Sequence, residues 1–162
     1  MTSHSGTGDL VDVLVGDHRT LLDLLDHAAA ADHGPQRSDL ALRAVNAVRR
    51  HCVTEERLLH PLLRRCLDDG DRCTDADTEE HEQLERLAAE LTDVGPGSPA
   101  AADLLRELAA SARRHVEGVE GRRLPVLRKC LTVTELHDLA DTARSELGIG
   151  TDDRSGPAPV TG

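Results

Sequence analysis

The 162-residue chain contains no phenylalanine, tryptophan or tyrosine, and only one methionine. Its interior must therefore be built from leucine, valine and alanine. Leucine and alanine favour helix, and the β-branched and aromatic runs that strands need are few, so the composition predicts an all-α protein. Positive charge is also scarce: 19 lysines and arginines stand against 30 aspartates and glutamates, a formal net charge of −11. Nucleic acids and anionic membrane surfaces both attract clustered positive charge, so neither is an expected partner. No run of about 18 apolar residues is present, which excludes a membrane-spanning helix. The opening residues, MTSHSGTG, lack the basic-then-apolar order of a signal peptide, and a cytoplasmic location is expected. The four cysteines, Cys52, Cys66, Cys73 and Cys130, include no CxxC pair, which argues against a thiolate zinc site. Reduced thiols are the expectation in such a compartment.

What the chain does contain is helical periodicity. Leu10, Leu14, Leu21, Leu25 and Ala28 recur at spacings of three, four and seven and predict a helix over roughly 9–31, ended by Gly34-Pro35. Val45, Val48, Cys52, Leu58, Leu59, Leu62 and Cys66 mark a second, over roughly 38–67, ended by Asp68-Asp69-Gly70-Asp71. A third begins near Thr74 or Asp75, carries Leu84, Ala88 and Leu91, and closes at Gly95-Pro96-Gly97. Ser98-Pro99 reads as the cap and first position of a fourth, which runs to about Leu131. A short fifth spans about 133–147. Four long amphipathic helices with short breaks predict an up-down-up-down four-helix bundle, with the fifth helix packed across an end or side. The expected domain is 9–147, with unstructured ends at 1–8 and 148–162.

The chain repeats itself. Residues 51–67, HCVTEERLLHPLLRRCL, align without gaps on 115–131, HVEGVEGRRLPVLRKCL. Each segment places proline ten residues after histidine, then an apolar pair, two basic residues, cysteine and leucine. An acid-histidine pair stands earlier in each half, Asp17-His18 and Glu80-His81. A helical hairpin has been used twice, and each hairpin brings one histidine per helix.

Residues three, four and seven apart share a helix face. His18 lies between Leu14 and Leu21, His51 follows Val48, His81 precedes Leu84, and His115 follows Leu108 and Ala112 on their stripes. Glu55, four after His51, joins the same face. Each unpaired buried polar group costs about 1–3 kcal/mol, and a cation held by imidazole nitrogen and carboxylate oxygen removes that cost. Such a donor set suits iron, manganese or zinc better than copper(I). His27, His33, His60 and His137 are expected at the surface or boundary. His60, nine after His51, lies about half a turn round the helix and is not expected to share its metal. Cys66 and Cys130 hold equivalent repeat positions on apolar stripes and are read as small core residues ahead of a redox pair.

Taken together, Asp17-His18-Arg19, His51-x-x-x-Glu55-Glu56 with Leu59-His60-Pro61, Glu80-His81, and His115 with Leu124-Pro125 resemble the hemerythrin and HHE cation-binding family over roughly 9–131. The resemblance implies a four-helix bundle around two irons bridged by oxo or hydroxo. It makes His18, His51, His81 and His115 terminal ligands and Glu55 a bridging carboxylate. It also implies a small diatomic ligand or peroxide as partner, for binding, sensing or scavenging. The chain departs from the HHE pattern at Val119, where a glutamate four after the last histidine belongs. Glu120 takes the place of the second bridge on the pattern of the blood-pigment hemerythrins, and Gly118 and Gly121 would tolerate a π-turn that swings it inward. The competing reading has Val119 filling the stripe and Glu120 facing solvent, which leaves an impaired or mononuclear site. Glu85, four after His81, is either a further ligand or an ordinary surface acid, and Glu56 is a candidate to support a ligand from outside. The family's aromatic residues before the prolines are replaced by His60 and Leu124.

Overall fold

The computed structural model describes residues 8–149, so the expected unstructured ends lie almost wholly outside the described residues. Within them the regular structure is helical throughout. Helix α1 spans Leu10–Ala30. Helix α2, Pro35–Thr54, runs through a π-turn, Glu55–Leu59, into α3, His60–Cys66, as one rod. Helix α4 spans Gly70–Val94. Helix α5, Ala101–Gly118, runs through a second π-turn, Val119–Arg123, into α6, Leu124–Cys130. Helix α7 spans Val133–Leu147. The repeat seen in the sequence is therefore a repeat of structure: a helix, a π-turn and a helix that starts on a histidine or leucine followed by proline.

Local chemistry sets the boundaries. Asp9 caps α1, its side chain accepting from the Asp12 amide while Asp12 accepts from the Asp9 amide, and Thr132 and Glu135 form the same reciprocal box before α7. Two boundaries differ from expectation. Gly70-Asp71, read as part of a terminator, is the first turn of α4. A Cβ at Gly70 would come within 2.6 Å of the Leu63 carbonyl oxygen, so glycine lets α4 start in direct contact with the end of α3. Ser98-Pro99 lies in the turn before α5, and the Ser98 hydroxyl donates to the Val94 carbonyl at 3.1 Å, closing α4 instead of opening α5.

Helix α1 packs on α2 and α5, α4 on α5 and on the α2–α3 rod, and α7 lies across α1 and α2. This is the expected four-helix bundle with a fifth helix on its side. Two apolar clusters fill it. One joins Leu21, Leu25, Val48, Leu84, Leu91, Leu105 and Leu108. The other joins Leu10, Leu14, Leu59, Leu63, Val119, Leu124, Leu127, Leu136 and Leu147. His18, His51, Glu55, His81 and His115 belong to neither, and His18, His51 and His115 sit along their helices between residues of the two clusters. No helix among the described residues is long and apolar enough to cross a membrane.

Cys66 and Cys130, expected as small core residues, form a disulfide with Cα atoms 5.8 Å apart. Each closes its half of the repeat, at the last residue of α3 and of α6. The pseudo-symmetry that places α3 against α6 brings the two equivalent sulfurs together, and Cys130 is exposed. Cys52 is buried and free, and Cys73 is half-buried and free.

Candidate metal centre

Five buried side chains converge in the middle of the bundle: His18 from α1, His51 from α2, Glu55 at the start of the first π-turn, His81 from α4 and His115 from α5. Glu55 is wholly buried and stands at their centre. Its Oε1 is 3.0 Å from His18 Nε2. Its Oε2 is 3.2 Å from His115 Nε2, 3.3 Å from His81 Nε2 and 3.7 Å from His51 Nε2. The His51 and His115 Nε2 atoms are 3.1 Å apart. All four imidazoles thus turn the same nitrogen inward.

The other nitrogen of each imidazole donates outward to a carboxylate. His18 Nδ1 meets Glu120 at 2.9 Å, His51 Nδ1 meets Asp17 at 3.0 Å, His81 Nδ1 meets Glu56 at 2.9 Å, and His115 Nδ1 meets Glu80 at 2.7 Å. The acids that precede His18 and His81 in sequence serve the histidine on the other helix of their own hairpin. Glu56 and Glu120, equivalent in the repeat, serve the first histidine of the opposite hairpin. A carboxylate on Nδ1 fixes the ring and directs Nε2, as it does for metal-bound histidines.

Several sequence expectations are placed differently. Glu120 lies on the outward nitrogen of His18, with its side chain 36 % exposed, while Val119 is wholly buried in the apolar cluster. The π-turn expected beside Gly118 and Gly121 is present. It brings Glu120 to His18 but leaves it outside the ring of inward donors. Glu85 is exposed, and Asp77, four before His81 instead of four after, is the buried acid on that face. Asp77 Oδ2 lies 3.6 Å from His81 Nε2 and Oδ1 lies 3.5 Å from His115 Nδ1. Its placement on the stripe of His81, Leu84 and Leu91 was the available signal.

His60, expected at the surface, is buried. A π-turn holds one extra residue, so each side chain beyond it is turned back by about 100°. That moves His60 from the far side of its helix to within about 80° of His51. There its Nε2 meets Asp77 Oδ2 at 2.6 Å and its ring stacks on His81, centroids 5.9 Å apart. The second π-turn likewise carries Arg123 inward, where its guanidinium pairs with Asp77 Oδ1 and lies 3.5 Å from Glu80. His27 and His33 are exposed and His137 is half-buried, as expected.

Charge follows geometry. Burial works to raise the Glu55 pKa, but the surrounding imidazoles hold it well below the usual carboxylate range. Burial opposes charging His115, yet hydrogen bonds to Glu55 and Glu80 raise its pKa to about 10. His18 and His81 are raised for the same kind of reason, their bonds to Glu55 outweighing burial. Among the described residues, no buried side-chain nitrogen or oxygen lacks a partner.

Do these donors fit a metal? Ligands about 2.1 Å from a common ion stand about 3.0–3.4 Å apart in octahedral or tetrahedral arrangements. Three of the four Nε2 and oxygen separations among His51, Glu55, His81 and His115 given above fall in that range, and the fourth exceeds it by a few tenths of an ångström. The family model of the hemerythrin HHE cation-binding domain matches residues 9–127. The chain belongs to that family. Comparison with curated proteins and with solved structures finds no match. As an HHE cation-binding domain the bundle has its expected fold, and His51, Glu55, His81 and His115 form a four-donor group able to hold a cation. Two further groups, His60 with Asp77 and His81, and Asp77 with Glu80 and His115, adjoin it.

Proposed function

We propose that this HHE domain holds non-haem iron in the His51, Glu55, His81 and His115 set, with His18 bonded to the same Glu55, and that the loaded centre binds or senses dioxygen, peroxide or nitric oxide. The convergence of four Nε2 atoms on one buried carboxylate is the observation that carries this reading. Imidazole and carboxylate together suit iron, manganese or zinc; zinc has no redox chemistry, and iron binds nitric oxide as well as reacting with dioxygen and peroxide.

Access supports a small ligand. A cleft of about 540 Å³ lined by Glu80, Ser111, Arg114, His115 and Arg122 leads from the surface to the His115 ring. A smaller one, about 220 Å³, reaches His18 between Val15, Leu22 and Glu120. The shell offers aliphatic side chains and no tyrosine, so no phenol is available to donate a hydrogen bond or to be oxidised. Peroxide disproportionation is the enzymatic form that the same centre would take.

A second reading, metal homeostasis or metal-dependent signalling to a partner, is favoured by the way the donors tie together α1, α2, α4 and α5. Metal occupancy would then add to folding free energy. The test is spectroscopic and benefits from the missing tryptophan and tyrosine, which leave the near-ultraviolet clear. Iron-loaded protein is expected to show charge-transfer bands that change with peroxide, dioxygen or nitric oxide, and Glu55→Gln to lose both iron and bands. Iron-loaded protein whose spectrum ignores all three ligands would overturn the sensing reading. Turnover of peroxide, set against protease resistance with and without metal, separates the second reading from the first.

A further inference from the structure

We infer that this chain holds one metal ion, and that the Arg123 guanidinium takes the place of a second. The inference rests on the proposed metal function and departs from the two-iron centre that the family resemblance implies.

Three observations carry it. First, a pair of cations needs carboxylates from both halves, and only the first half supplies one among the inward donors. Glu55 stands there, while its repeat equivalent, Val119, is wholly buried among Leu59, Leu63, Leu124 and Leu127. Glu120 is committed to His18 Nδ1 at 2.9 Å, on the side away from Glu55. Second, among the described residues Asp77 is the one other buried carboxylate that reaches both His81 and His115, and both of its oxygens are taken. Oδ2 accepts from His60 at 2.6 Å and Oδ1 is paired with Arg123. Third, Arg123 is itself buried and bridges Asp77 to Glu80, the acid that orients His115.

Electrostatics joins these points. Glu55, Asp77 and Asp17 bring three negative charges into the bundle around the site, and Arg123 returns one positive charge beside Asp77. One divalent cation against Glu55 then meets a nearly balanced interior. A second would sit against a fixed guanidinium with no free carboxylate to offset the repulsion. An arginine cannot lose its proton to make way. The sequence origin of the device is the π-turn, which rotates Arg123 inward at the position where the first half of the repeat has Leu59.

The full chain, loaded anaerobically with ferrous iron and desalted, tests this by its metal-to-protein ratio; zinc loading gives the same count without redox chemistry. One ion per chain is expected, with Arg123→Lys also at one and Arg123→Gln taking up a second. Magnetic coupling between two irons is expected only in Arg123→Gln and more strongly in Val119→Glu/Arg123→Gln, with circular dichroism reporting the fold of each. Two coupled ions in the unmodified chain would overturn the inference while leaving the metal function intact, as would a folded Arg123→Gln that stays at one. No metal in the unmodified chain would overturn the proposed function, and this inference with it.

Discussion

His60 Nε2 lies 2.6 Å from Asp77 Oδ2 across the interface of α3 and α4, and the His60 ring stacks on His81. The bond is buried and anchors a carboxylate whose other oxygen is held by Arg123. Removing one partner of a buried hydrogen bond leaves the other unsatisfied, at a cost of about 1–3 kcal/mol. His60→Leu is therefore expected to lower the stability of the metal-free protein by that amount, read from the urea midpoint. A midpoint equal to the parent's would mean that Arg123 alone satisfies Asp77.

Glu120 orients His18, whose inward nitrogen meets Glu55, and itself stands outside the ring of inward donors. Loss of such an outer carboxylate costs about 10–100-fold in metal affinity. Glu120→Ala is expected to weaken metal binding within that range while keeping the number of ions bound, measured by competition with a chelator of known affinity. A variant that loses an ion outright would make Glu120 a direct ligand.

The Cys66–Cys130 disulfide closes a loop between residues 64 apart in sequence. Constraining a loop of that length in the unfolded chain stabilises the fold by about 4 kcal/mol. Cys66→Ser/Cys130→Ser is expected to lose a comparable amount in urea denaturation. Unfolded without reductant, the protein should show two thiols to maleimide, Cys52 and Cys73, and four after reduction. Cys73 should react first in the native state, since Cys52 is buried and burial pushes its thiol pKa up. Four reactive thiols before reduction would refute the bridge.

The metal-free protein should weaken in alkali. His115 has a folded pKa of about 10 against its ordinary value of 6.5, so the folded state binds the extra proton between them. Its contribution is complete below about pH 6.5 and disappears as pH rises through about 10. Glu55 and Asp77 are depressed, so their contribution is present above their ordinary range and disappears in acid. Thermal melts across pH 4–10 should thus decline toward alkali without metal. Bound metal competes with those protons, so the stabilisation it adds should grow over the same interval. A metal-free melting temperature that rises from neutral to alkaline pH would contradict this assignment.

The bundle was readable from the chain because each helix announces its own inward face. The stripes of Leu10, Leu14 and Leu21, or Leu84, Ala88 and Leu91, are properties of one helix at about 100° per residue. The same rule placed His18, His51, Glu55, His81 and His115 inside, and the 64-residue offset between Cys66 and Cys130 marked the two halves. What the rule could not carry was phase beyond an irregular turn. Each π-turn resets the face by about one residue, and His60 and Arg123, read as outward or left unread, come in as a result.

Pairing between helices was the other part decided only in three dimensions. Asp17-His18 and Glu80-His81 look like local pairs, yet each acid serves a histidine on the neighbouring helix, His51 or His115. Asp77 and Glu85 are equally spaced from His81, and only the packing of α4 against α3 and the second π-turn selects Asp77. Periodicity is local and survives in a string of letters. Partners across a bundle depend on the axial register and rotation of whole helices, which no single helix encodes.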